Sequence, residues 1–326
     1  MFEKMINLQL FSADVTPINV TTQSTMSPTM KTFYDTTLLE NAREQMIFTQ
    51  FGKKQPMKGN KIEWRKFNTF AKALTPLSEG VIPTGQTFGM TNIEGTITQH
   101  GDFTAVSDRL ELESFDDVIF GATEEMGAAE GETYDTLTRN ILVAGNSVRY
   151  CPNGDTEVTS RDALTNACIL TPDVVSKAAT WLKKNKAPKI DGCYVALIHP
   201  SVSYDLRNSN EWKSFHMYND VAPIFKGEIG MLHGVRFIET NEAKIWKDNG
   251  TAVYATLFLG KDAFGILDPE GEGMEMIVKT KGQIGGPLEQ FSTIGYKFCH
   301  GAKILYQERM LRVESGSSFG DDDEAN

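Results

Sequence analysis

A chain of 326 residues has room for about two domains of ordinary size, and 40% hydrophobic with 23% charged residues is the make-up of a folding globular chain. Its 43 acidic against 32 basic residues leave a formal charge of −11, which excludes tight sequence-independent binding to DNA or RNA, because that needs Lys and Arg to neutralise phosphates. Cys151, Cys168, Cys193 and Cys299 form no C-x-x-C pair, which excludes a zinc knuckle or a dithiol redox motif.

The start, MFEKMINLQLFSAD, interrupts its apolar stretch at Asn7 and Gln9 and has no small-residue cleavage pattern, so it makes a poor signal peptide. No run reaches the roughly 18 apolar residues of a membrane span. A soluble protein made in a cytoplasm is expected. Residues 1 to 30 are rich in Thr, Ser, Asn and Gln and read as an extended arm. Ser27 as cap, Pro28 at the first position, and Tyr34, Leu38, Ala42 and Met46 at four-residue steps predict an amphipathic helix after it.

From Lys61 to Leu112 the pattern alternates. The stretches KIEWRKF and GTITQHGDFTAVSDRLEL bracket the Pro- and Gly-rich LTPLSEGVIPTGQTFG, which predicts a long hairpin with an irregular tip. A hairpin without a layer of its own is marginal in water and is expected to lie on something else. Ser114 as cap and Val118, Ala122, Met126, Ala129, Leu137 and Ile141 then predict one helix of about 25 residues, well above the globular mean. Gly121, Gly127 and Gly131 weaken it locally, and close packing against a neighbour is expected there. After a turn at CPNGD, helices open at Thr171–Pro172–Asp173 and at Pro200, and CYVALIH, GEIGMLHGVRFIET and YATLFLG read as strands. The stretch GPLEQFSTIGYKFCHGAKILYQERMLRVES reads as strand, turn, strand, and GSSFGDDDEAN as an acidic, solvated tail.

Chemical motifs are few. GEIGMLHG matches neither a dinucleotide loop nor a P-loop, and its glycines lead into a strand, so His233 reads as a turn or interface residue. Gly316-Ser317-Ser318-Phe319-Gly320 matches a nucleophile elbow by letter, yet it lacks the strand-to-helix setting and no His follows His300. Asp321 to Glu324 lack the spaced ligands of a calcium loop, and Cys299 and His300 are neighbours that a strand points to opposite faces. His199, ending a buried strand near Ser201 and Asp205, is the one position where a small-molecule-binding α/β enzyme could place its chemistry. No catalytic, cofactor-binding or metal-ligating residue is assigned.

Taken in order, LTPLSEGVIPTG with QHGDFTAVSDRLEL, YDTLTRNIL, YVALIHPSVSYDLRNSNEWK, GEIGMLHGVRFIET and GPLEQFSTIGYKFCHGAKIL resemble the major capsid proteins of tailed bacteriophages of the N4-like group, which share the HK97-type coat fold. The resemblance covers residues 27 to 314. It implies an α+β HK97-like fold with an N-terminal arm and helix at 1–57 and an E-loop β-hairpin at 58–112. It further implies a peripheral domain with a spine helix at 113–159, an axial domain at 160–265, returning peripheral strands at 266–314, and an acidic tail at 315–326. The implied function is a major capsid protein, not an enzyme, that assembles in the bacterial host cytoplasm into hexamers and pentamers of an icosahedral shell. That shell would enclose double-stranded DNA without specific binding. Implied partners are further copies of the chain and a portal protein, with no membrane and no cofactor; whether separate scaffolding or decoration proteins join them is left open, a separate scaffold or none fitting equally. The short arm implies that no long internal scaffolding segment is encoded.

Overall fold

The computed structural model describes residues 46–57, 59, 61–68, 70–77, 79–114, 118–218, 228–248, 250–269, 274–284, 288, 290–320 and 323–326. The predicted arm and nearly all of the helix expected from Ser27 lie outside the described residues. A 3-10 turn at Phe48–Phe51 comes first. The strands are β1 (Lys53–Met57), β2 (Lys61–Phe67), β3 (Met90–Thr96), β4 (Thr98–Ser107), β5 (Val148–Tyr150), β6 (Tyr194–Ile198), β7 (Glu228–Leu232) and β8 (Val235–Glu239). They continue with β9 (Ile245–Asp248), β10 (Thr251–Leu259), β11 (Phe264–Pro269), β12 (Glu275–Lys279), β13 (Phe291–His300), β14 (Ala302–Ile304) and β15 (Met310–Ser315). The helices are α1 (Asp108–Glu113), α2 (Val118–Val143), α3 (Pro172–Lys184), α4 (Pro200–Asn208) and α5 (Asn210–Tyr218).

Contacts divide the chain into two units. Among the described residues one holds residue 46 and residues 99–114, 118–134, 274–284, 288 and 290–299. Its sheet has the order β12-β13-β4, and Val106, Val118 and Ile294 form a small core against Leu110, Ile119, Met126 and Met276. Gly101 and Gly295 permit the close approach of β4 and β13: a Cβ on Gly101 would meet the Tyr296 carbonyl at 2.5 Å, and one on Gly295 the Asp102 carbonyl at 2.8 Å. The predicted hairpin is therefore shorter than expected. Only β2 and β3 pair with each other, whereas β4 belongs to this second sheet, and DRLELE coils into α1 because Ser107 Oγ accepts from the Leu110 N–H. Ser114, expected to start the long helix, instead ends α1, its N–H donating to the Leu110 carbonyl at 2.9 Å.

Helix α2 spans 26 residues, as its period predicts. Gly127 and Gly131 are buried, but a Cβ on Gly121 would meet nothing within 4 Å, so close packing does not explain that glycine.

The other unit, residues 47–98, 135–271 and 300–326, is built on a seven-stranded sheet of order β5-β15-β10-β6-β8-β7, with β9 beside β10. β6 lies between β10 and β8 and is buried along all five residues, which is why its sequence runs apolar without alternating. α3 starts with Pro172 in its first turn, carries Lys183 and Lys184 in its last, where cations suit the helix dipole, and buries Val174, Val175, Ala178 and Leu182. β15 pairs antiparallel with β10 and parallel with β5 inside this sheet. A three-stranded sheet, β1-β11-β14, completes the unit.

Candidate assembly interface

β2 and β3 pair from Lys61 opposite Thr96 to Phe67 opposite Met90, and the Asn68 N–H donates to the Gly89 carbonyl at 2.9 Å, closing the ladder. Midway along the ladder the hairpin is fixed by Trp64. Its ring lies where a Cβ on Gly95 would come within 2.6 Å and one on Gly265 within 2.9 Å, so both glycines are needed for the indole to lie flat on β11.

Beyond the ladder the chain has no regular structure and its apolar side chains face water. Among the described residues, eight of the fourteen exposed large hydrophobic residues fall between Phe67 and Met90, with Leu74 83%, Leu77 76% and Ile82 93% exposed. Phe88 packs between Phe67 and Phe70, its ring tilted against both with centroids 4.9 Å and 5.7 Å away, which gives the tip local order without covering it. Apolar residues scattered singly over a surface need no explanation; this concentration in one protruding loop marks a surface made to be covered.

The chain entering β1 is anchored by Asp135, which sequence reasoning did not single out. This fully buried carboxylate on α2 accepts from the backbone N–H groups of Ile47 at 2.9 Å, Phe48 at 3.2 Å and Thr49 at 3.1 Å. Burial pushes its pKa up to about 6, against the pull of those three donors. Just over one turn earlier Glu130 is also buried, Oε1 has no hydrogen-bond partner among the described residues, and burial raises its pKa to about 7.

His199 has a structural task. It is the N-cap of α4, where Nδ1 accepts from the Ser201 N–H at 3.2 Å, and its ring stacks on Tyr254 with centroids 4.9 Å apart. Burial lowers its pKa, which keeps Nδ1 free of a proton and able to accept. Ser318, the letter-match nucleophile, donates to Asp205 and not to an imidazole, and Ser317 Oγ donates to the Ser201 carbonyl at 2.8 Å. Nucleophilic catalysis needs the nucleophile on a base, and this arrangement spends each group on holding the tail.

The acidic tail is therefore not simply solvated. Asp323 accepts from Tyr254 Oη at 2.6 Å and Ser201 Oγ at 2.8 Å, Glu324 pairs with Lys247 at 2.9 Å, and Asn326 Oδ1 accepts from the Ile245 N–H at 2.9 Å. The hydrogen bond from Tyr254 is the main reason the Asp323 carboxyl lies below the usual carboxylate range.

The remaining motifs also find backbone or packing roles. His233 and Gly234 have φ of 53° and 80° and form the turn between β7 and β8, with His233 Nε2 3.0 Å from Glu211 Oε1. His300 Nε2 lies 2.9 Å from Thr138 Oγ1, and among the described residues no group of three or more His, Cys, Asp or Glu is placed to hold a metal ion.

The sequence profile of the family described as phage capsid protein matches residues 98–266, just over half of the chain. The chain belongs to the phage capsid protein family. Among solved structures, the capsid protein of cyanophage Pam1 superposes with a TM-score of 0.68 at 11% identity over 95% of this chain and 100% of that one. The capsid protein of Ralstonia phage GP4 gives 0.65 at 15% identity over 97% and 100%, and that of cyanophage P-SCSP1u gives 0.63 at 15% identity over 84% and 89%. No curated protein matches the sequence. The architecture is the HK97-like capsid fold, and the reading of the His199 region as an enzyme site has no support in either geometry or kinship. As a phage capsid protein the chain is a structural, self-associating component of the virion shell.

Proposed function

We propose that this capsid protein is the major coat subunit of a tailed bacteriophage of the N4-like group, closing as hexamers and pentamers into an icosahedral shell around double-stranded DNA. The observation that carries the reading is the hairpin tip: a folded subunit that keeps Leu74, Leu77 and Ile82 in water is incomplete alone. In this reading residues 58–112 act as the E-loop, 113–159 with 266–314 as the peripheral domain, and 160–265 as the axial domain, with β15 shared into the axial sheet. The formal charge of −11 suits a container that must not adhere to its genome. Assembly takes place in the host cytoplasm, with a portal protein and with either a separate scaffold or none. No catalytic residue is assigned. Size-exclusion chromatography and negative-stain microscopy of the purified chain test the proposal: closed particles, capsomers or tubes are expected, and a small fixed oligomer at every concentration refutes it.

A further inference from the structure

Among the described residues β9 pairs with β10 alone, from Asp248 opposite Thr251 to Ile245 opposite Tyr254. The Ala255 N–H donates to the Lys244 carbonyl at 2.9 Å, which carries the pairing one residue further back. Hydrogen bonds alternate in direction along an antiparallel ladder, so the residues on either side of Lys244 turn their backbone groups away from β10. The Ile245 N–H and the Ala243 carbonyl therefore face outward, and such an edge is a template for pairing with another chain.

One side chain of the tail takes both groups. Asn326 Oδ1 accepts from the Ile245 N–H at 2.9 Å, and its Nδ2 donates to the Ala243 carbonyl at 3.1 Å. An amide offers one acceptor and one donor side by side, the same pair that a residue of a neighbouring strand would present. Two residues earlier Glu324 meets Lys247 Nζ at 2.9 Å, so the tail runs along β9 in the opposite direction, from Lys247 back to Ala243. Asp323 pins the start of this run, accepting from Tyr254 Oη at 2.6 Å and Ser201 Oγ at 2.8 Å. Glu324, Ala325 and Asn326 are themselves exposed. A segment kept for stability would bury apolar surface; this one covers backbone polar groups and little else.

We propose that residues 323–326 are an edge guard: in the free subunit they occupy the outer edge of β9 and keep a second copy of the chain from adding a strand there. The excluded partner is a second copy because identical subunits bring identical edges, and an outward N–H and carbonyl on one copy meet the same groups on another. The inference goes beyond the coat reading, since it concerns the subunit before any particle forms.

Deleting residues 321–326 tests it, at protein concentrations below those at which particles form. By size-exclusion chromatography with light scattering, the deletion should carry at least twice the mass of the full chain. Hydrogen exchange, read by mass spectrometry on the peptide holding residues 243–248, locates the contact. In dilute deletion protein that peptide should exchange about tenfold faster than in the full chain, and it should slow again as rising concentration brings copies together. Asn326→Ala removes only the two backbone hydrogen bonds and leaves Asp323 and Glu324 in place. It should show the same changes to a smaller degree, and it decides alone if the deletion fails to fold. Equal exchange of residues 243–248 in the full chain and the variants overturns the proposal, as does a variant that keeps the full chain's mass at every concentration, or one that associates while residues 243–248 stay unprotected. None of these results bears on the hairpin tip, whose role is read from particle formation.

Discussion

Ile82 is 93% exposed at the tip of the hairpin, and truncating it separates folding from assembly. Ile82→Ala removes three carbons. In the free subunit they touch mainly water, so its stability should change by no more than about 0.5 kcal/mol. In a shell, where each subunit gives one hairpin and receives one, burying those carbons at about 0.8 kcal/mol each is worth about 2.4 kcal/mol per subunit. At about 1.4 kcal/mol per decade, the concentration at which particles first appear should rise about 50-fold. Light scattering across a protein concentration series at fixed salt reads that threshold, and a thermal melt of unassembled protein provides the control. A threshold that moves less than about threefold with an unchanged melt would mean that Ile82 stays in water in the particle, and the reasoning from exposure to docking would fail.

Replacing residues 70–86 by a short turn should leave a soluble subunit with a normal melt, because the β2–β3 ladder closes at Asn68 and Gly89, but one that builds no particles. Glu130 has a folded pKa raised from 4.5 to about 7, so its cost to stability builds as pH rises from about 4.5 and is fully present above about 7. Glu130→Gln should therefore melt higher than wild type at pH 8.5, the gap closing as pH falls toward 4.5; equal melts at both ends would contradict this. Asp135→Ala strands three backbone donors and should cost about 3 kcal/mol or more in denaturant unfolding, whereas Asp135→Asn, which keeps one acceptor oxygen, should cost less. With −11 on every copy, moderate salt should favour assembly by screening repulsion over about 8 Å, and association should show a sharp concentration threshold; scattering that grows smoothly and strengthens as salt is removed would point to complementary charge pairs as the main bond.

Much of the fold was legible because the relevant signals are local. Pro172 and Pro200 mark helix starts, the uninterrupted apolar run YVALI can be only a strand covered on both faces, and the four- and three-residue steps from Val118 to Ile141 specify α2. The alternation through GTITQHGDFTAVS also identified strands, but period alone does not say which strand pairs with which. β3 and β4 differ in partner because Gly101 and Gly295 admit a close crossing of β4 with β13, a long-range fact. The apolar residues of the tip were visible in the sequence, amid Pro and Gly, where a solvated loop would carry polar ones. The tail misled for a similar reason: DDDE reads as solvated until Tyr254 and Ser201, distant in sequence, are found to donate to Asp323. Asp135 left no local trace, since its partners, the backbone N–H groups of Ile47, Phe48 and Thr49, lie far away in sequence.

The most direct test is a cryo-electron microscopy reconstruction of particles formed by the purified chain, resolved well enough to trace residues 67–90. The account predicts a closed shell in which that segment lies across a neighbouring subunit, with Leu74, Leu77 and Ile82 buried against it. A particle in which those three side chains still face solvent, or a preparation holding only a small fixed oligomer, would contradict it.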